Sequence, residues 1–312
     1  MRQHWLGTML IAAMAAGTVA VLPAAPASAA VPCTETAQDA ATARATAKRC
    51  QRRVEVLAER SETALVFANP SGTMTAEISL KAERARGADG RWVTADATLR
   101  RNTDGTVSPV AAALPVVFSG GGTGPVARIG KGDKELVLDW TATLPVPVLD
   151  GPRATYPDVL PGVDLRLTAD VEGFSEVLVV KDQVAAKHPA LKRLAFKTRT
   201  KGLSIRTDST TGAVSAVDGS GAVVFGGSTP TMWDSGVKAG ARRAATADGV
   251  ADPAEALPAK QRPMRTEITP GELAVVPDAS LFTGPRHRLP GLRRPDLARR
   301  SQSLGPAVEA VR

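Results

Sequence analysis

Tyr156–Lys181 reads YPDVLPGVDLRLTADVEGFSEVLVVK, and this stretch decides the fold class. Pro157 and Pro161 fix φ, Gly162 permits a turn, and Val163 and Leu165 open a strand. GFSEVLVVK then supplies its partner strand. Working outward, the same texture of short β-branched, alternating runs broken by turn residues continues on both sides. Before it come VEVLAERSETALVFAN, TMTAEISLKAE, PVVFSG and KELVLDW, with Asp89-Gly90 and Asp104-Gly105 as punctuation. After it come RLAFKTRT, LSIRTD, AVSAVD and AVVFGG. Short strands at spacings of roughly 8 to 12 residues predict a mainly β chain, either an antiparallel sandwich or two packed sheets. Trp140, Tyr156, Phe174 and Trp233 are the expected core aromatics, because a chain with 4% aromatic residues needs its large rings to fill a core.

One helix is expected. From Thr36 to Arg53 the run is rich in Ala, Arg and Gln and contains no Gly or Pro, which favours helix by intrinsic propensity. Its thin apolar stripe marks it as a surface element. Lys238–Met264 mixes Ala, Gly, Pro and charges, a composition that buries little, so it reads as a solvated insertion. MRTEITPGELAVVPDASLF then resumes strand texture.

The N-terminus has the order of a secretory signal peptide: a basic start at Arg2, an apolar run from Leu6 to Leu22, and the small residues Ala27, Ser28, Ala29 and Ala30. Cleavage is expected after Ala29 or Ala30, leaving no membrane segment. The chain's two cysteines, Cys33 and Cys50, follow the cleavage site. In an oxidising compartment an even pair predicts one disulfide, the alternative being two free surface thiols.

The net charge of +8 invites a nucleic-acid reading, but its placement argues against one. Seven arginines against Asp296 and Glu309 give the segment from Arg286 a charge of +5, and Arg2 adds one more, which leaves +2 for Val31–Pro285. With a nearly neutral body, and only four Trp and one Tyr in the whole chain, there is neither a phosphate-binding face nor stacking platforms, so no nucleic-acid partner is expected.

Catalytic constellations are thin. His4 falls in the signal sequence and His287 in the arginine-rich end, so the body holds His188, beside Pro189 in a turn-like stretch and read as a surface histidine. A Ser or Cys nucleophile needs such a base, and no partner motif accompanies it. The same scarcity leaves no His-based metal site, and neither metal nor cofactor is expected. Asp139, Asp158, Asp164, Asp170, Glu172 and Glu176 are the carboxylates from which a glycoside-processing pair would have to come. SGGGTGP at Ser119–Pro125 lacks the Gly-Lys-Ser/Thr ending of a phosphate-binding loop and reads as a turn. EF-hand calcium loops are also missing.

YPDVLPGVDLRLTADVEGFSEVLVVK, HPALKRLAFKTRTKGLSIR and PTMWDS, with RVEVLAERSETALVFANPSGTMTAEI, DGRWVTADATL, VFSGGGTGPVARI and LVLDWTATLPVPVLDG, carry a resemblance. From about Arg53 to Pro285 the chain is similar to the N-terminal β-rich region of large secreted actinomycete proteins that continue into laminin-G-like (concanavalin-type lectin), DNRLRE or Rhs-type domains. The resemblance implies an extracellular or cell-surface scaffold, with glycan association carried by domains outside this chain, and brings no catalytic residue. It also implies a continuation close to DTVFPVYVDP after LFTGP, where this chain has RHRLPGLRRP. One choice of codons for Arg286–Pro295, read one base later, spells that continuation. Arg286–Arg312 is therefore read as an out-of-frame tail, disordered and without a strand of its own, and the nucleotide sequence around the Pro285 codon decides the matter.

The resulting division is a signal peptide at 1–30, a short helix with a disulfide at 31–53, a β-rich domain at 54–237, a flexible insertion at 238–264, a returning strand segment at 265–285 and the tail at 286–312. The expected function is a secreted, non-catalytic leading module of a larger extracellular protein. The rivals are an extracellular polysaccharide-processing enzyme using an acidic pair and a basic nucleic-acid binder.

Overall fold

The computed structural model describes residues 32–234, 261–282, 290–293 and 297–298. Its centre is the quoted stretch. In the strand Val163–Asp170, Val163, Leu165, Leu167 and Ala169 are buried while the residues between them are half-buried, the period of two that a pleated strand imposes. Its partner Gly173–Val180 pairs antiparallel in unbroken register, from Val163 opposite Val180 to Asp170 opposite Gly173, around the two-residue turn Val171-Glu172. On the other side Arg153–Leu160 pairs with it, Tyr156 lying opposite Leu165 and Leu160 opposite Val163, with a bulge between.

These strands belong to an eleven-stranded sheet that runs on through Val223–Gly226, Val214–Val217 and Ser204–Thr207 and includes a branch at Thr231–Asp234. An eight-stranded sheet packs against it, beginning at Asp96–Arg101 and ending with the hairpin Arg265–Thr269 and Glu272–Val276 beside Leu194–Lys201. One apolar core joins the two: Phe118, Ile129, Leu136 and Phe196 from the eight-stranded sheet meet Tyr156, Leu165, Phe174 and Phe225 from the other. Phe118 and Phe174 stand edge to face with ring centroids 5.5 Å apart. The Tyr156 hydroxyl donates across the interface to the Ser119 carbonyl at 2.7 Å. The fold is thus mainly β, antiparallel and sandwich-like, with a single α-helix among the described residues.

That helix is Ala40–Cys50. The expected start at Thr36 is corrected, because Thr36–Ala37 pairs as a strand with Glu55 and Val56, and the Asp39 carboxylate caps the helix by accepting from the Ala41 and Thr42 amides at 2.9 Å. Gln51, in the left-handed region at φ 52°, ends it. Cys33 and Cys50 form a disulfide across 17 residues with Cα atoms 5.7 Å apart. The helix packs Ala43 and Ala47 on Val54, Val56 and Ala68 of a four-stranded sheet, a second core separate from the sandwich. Packing therefore groups the strands Val54–Val56, Ala64–Ala68 and Met74–Ile78 with the helix, where the sequence reading placed the boundary at Val54.

Two further expectations change. Of the stretch 238–264, residues up to 260 lie outside the described residues. Gln261–Pro263, however, is a strand paired with Thr231–Trp233, and Met264 is buried. In the tail, Pro290–Arg293 pairs antiparallel with both Val177–Val179 and Thr231–Asp234, and Leu297–Ala298 pairs with Gly173 and Phe174. This corrects the expectation of a tail without a strand. The physical reason is that ladder hydrogen bonds use backbone groups, so an open sheet edge accepts an extended segment whatever its side chains. The rest of the tail lies outside the described residues.

Candidate functional site

The bulge in Arg153–Leu160 builds the first cluster of charge. Asp158 adopts φ 50°, a left-handed conformation in which few residue types other than glycine rest easily, and its amide donates to Asp164 Oδ1 at 2.8 Å. Lys181, directly after the strand Gly173–Val180, donates to Asp158 Oδ1 at 2.9 Å and lies 2.6 Å from Asp164 Oδ1. Its hydrogen bonds, first to Asp164 and then to Asp158, raise the Lys181 pKa. The Lys181 amide closes the turn by donating to the Gly162 carbonyl at 2.9 Å. The Lys181 ammonium thus bridges the two carboxylates.

The other acids meet similar ends. Lys81 donates to Asp170 at 2.9 Å, and its pKa is raised by that bond first and by the nearby Glu172 charge as well. Asp170 also accepts from the Glu172 amide at 3.1 Å in the hairpin turn. Asp139 takes a bidentate pair from Arg199 at 3.0 and 2.8 Å across neighbouring strands. Glu176 is buried on the core face opposite Leu167. The structure therefore brings Asp158 to Asp164 and Asp170 to Glu172, each pair around a lysine. Among the described residues, no group of three or more His, Cys, Asp or Glu could hold a metal ion.

The expected core aromatics sit as follows. Tyr156, Phe174 and Trp233 are buried. Trp140 is partly buried and packs edge to face on Phe196 at 4.9 Å, with an indole nitrogen that has no hydrogen-bond partner among the described residues.

His188 is a helix cap: its Nδ1 accepts from the Ala190 amide at 3.3 Å and starts the short 3₁₀ helix Pro189–Lys192. It also lines a cavity of about 810 Å³. The apolar wall comes from Ala186, Leu191, Val276, Pro277 and Phe282. Lys187 and Lys192, both exposed, stand beside His188 on the polar side. The sequence reading missed this site, because its two walls lie some ninety residues apart in the chain and HPALK carries no motif that announces a pocket.

Among the described residues no helix is long and apolar enough to cross a membrane, which leaves strand-built membrane proteins unaddressed. No family model, no curated protein and no solved structure matches this chain.

Proposed function

We propose that this chain is an exported, non-catalytic β scaffold, the leading module of a larger extracellular or cell-surface protein whose glycan-binding parts lie in other domains. The observation that carries this reading is the use made of its ionisable groups. Asp158, Asp164, Asp170 and Asp139 are each tied to a lysine or arginine that fastens one strand or turn to another, and His188 caps a helix turn. General acid–base work needs a group free to exchange a proton with a substrate within hydrogen-bond reach. The disulfide fits an oxidising compartment, and the order of basic start, apolar run and small-residue exit at the N-terminus supports export.

The test is to express the full chain in a secreting bacterial host, sequence the N-terminus of the exported product, and incubate it with plant and bacterial polysaccharides. The expected product begins at Ala30 or Val31 and releases no reducing ends. Hydrolysis that survives purification and disappears in Asp158→Asn or Asp164→Asn would replace this reading with the acidic-pair enzyme.

A further inference from the structure

The cavity beside His188 has the chemistry of a binding site. Its volume, about 810 Å³, falls within the roughly 300–1,000 Å³ usual for small-molecule sites. Both walls are held rigidly by their own hydrogen bonds. On one side Asp182 caps the turn through the Ala185 amide at 2.8 Å, and the amides of Lys187, His188 and Leu191 close the two short 3₁₀ turns. On the other, the Asp278 carboxylate accepts from the Ser280 amide at 2.9 Å, and the Asp278 amide contacts the Met232 sulfur at 3.0 Å.

Charge at the rim sets the occupant. The neighbouring Arg193 is neutralised by Glu267 and Glu272, and Lys181 by Asp158 and Asp164. Lys187 and Lys192 line the cavity, and neither has a carboxylate partner among the described residues. Two unpaired ammonium groups over a pocket walled by Leu191, Pro277 and Phe282 match a molecule with an apolar body and one anionic head.

We propose that this groove binds a small amphiphilic anion, an alkyl chain of moderate length ending in a carboxylate, with the chain against Leu191, Pro277 and Phe282 and the head between Lys187 and Lys192. This goes beyond the scaffold reading and does not depend on it, since a non-catalytic module and an enzyme could each carry such a site.

Calorimetric titration of the purified chain with dodecanoate, below its critical micelle concentration, tests the proposal. Saturable binding of one dodecanoate per chain is expected, with dodecanol and dodecyltrimethylammonium both weaker. Each of Lys187→Ala and Lys192→Ala should weaken dodecanoate about twofold to fivefold, as expected for exposed charge pairs, and the double variant by more. Circular dichroism of these surface variants should match the parent. Phe282→Ala should weaken dodecanoate and dodecanol alike.

Three results would overturn the proposal: no saturable binding; equal affinity for the cationic and anionic probes; or unchanged affinity in the double lysine variant. Stronger binding to phosphatidylglycerol vesicles than to dodecanoate would place the anion in a lipid surface and overturn the free-amphiphile assignment.

Discussion

Tyr156→Phe isolates one hydrogen bond at the centre of the sandwich. Tyr156 is fully buried on the eleven-stranded sheet, and its hydroxyl donates at 2.7 Å to the carbonyl of Ser119, which follows the strand Val116–Phe118 of the facing sheet. The Phe variant keeps the ring and its contacts but leaves that carbonyl without its donor in a buried setting. The loss should be about 1–3 kcal/mol, the penalty for one orphaned buried partner. At about 2–4 °C per kcal/mol for a domain of this size, the melting temperature should fall by about 2–12 °C. Tyr156→Ala removes the ring as well and should lose about 3–5 kcal/mol. Urea unfolding followed by tryptophan fluorescence measures both, with the slope m unchanged in Tyr156→Phe.

The pH dependence gives a second, independent reading of the same group. Burial raises the Tyr156 pKa above the ordinary tyrosine value near 10, with Arg101 opposing it weakly. A folded-state pKa above the unfolded one means that its contribution is fully present below about pH 10 and is lost as pH rises toward the folded value. Wild type should therefore lose its advantage over Tyr156→Phe progressively above about pH 10. A Phe variant within about 0.5 kcal/mol of wild type at pH 7, or a gap between the two that stays constant to pH 11, would refute the argument that this bond clamps the two sheets.

Three further outcomes are expected. Reducing Cys33–Cys50, a link across 17 residues, should destabilise the chain by about 3 kcal/mol in the chain-entropy treatment, and hydrogen exchange should show the loss first in Ala40–Cys50 because that helix rests on its own small core. Mass spectrometry of non-reduced peptides should show the linked pair beforehand. Gly162→Ala should lose more than the roughly 1–2 kcal/mol of a left-handed alanine, since its Cβ would lie 2.8 Å from Ala185 Cβ, whereas Gly90→Ala, also at positive φ but facing open space, should lose only the conformational part; equal effects in thermal melts would contradict the close packing. Cutting the chain after Phe282 removes the strand paired with Val177–Val179 and Thr231–Asp234, so light scattering should report aggregation, relieved by Val179→Lys on the opened edge. A cut chain that stays monodisperse would mean that this pairing protects no vulnerable edge.

Much of the fold was legible because it rests on local rules. The alternation in Val163–Asp170 and the Pro157, Pro161 and Gly162 punctuation need only the two-residue period and fixed or permissive φ to be read as a hairpin. The helix was legible for its composition, but its start was not. Thr36–Ala37 is helix-compatible in isolation and becomes strand only because Glu55 and Val56 lie alongside. Gln261–Pro263 and Met264 looked solvated for the same reason: the three strand residues do stay exposed, but their pairing with Thr231–Trp233 and the burial of Met264 are things composition does not reveal.

The candidate site divides along the same line. The disulfide and the scarcity of histidine follow from residue types and order along the chain, which sequence states directly. Which carboxylate meets which cation does not: Lys181 reaches Asp158 and Asp164, and Arg199 reaches Asp139, through strand register and a bulge. The groove beside His188 is more extreme, since Lys187 to Lys192 and Val276 to Phe282 become two walls of one cavity only after the strands between them have paired. Periodicity fixes which face of each strand is apolar, but distances between side chains far apart in the chain are set by the packing of whole sheets, and that is information only the tertiary structure holds.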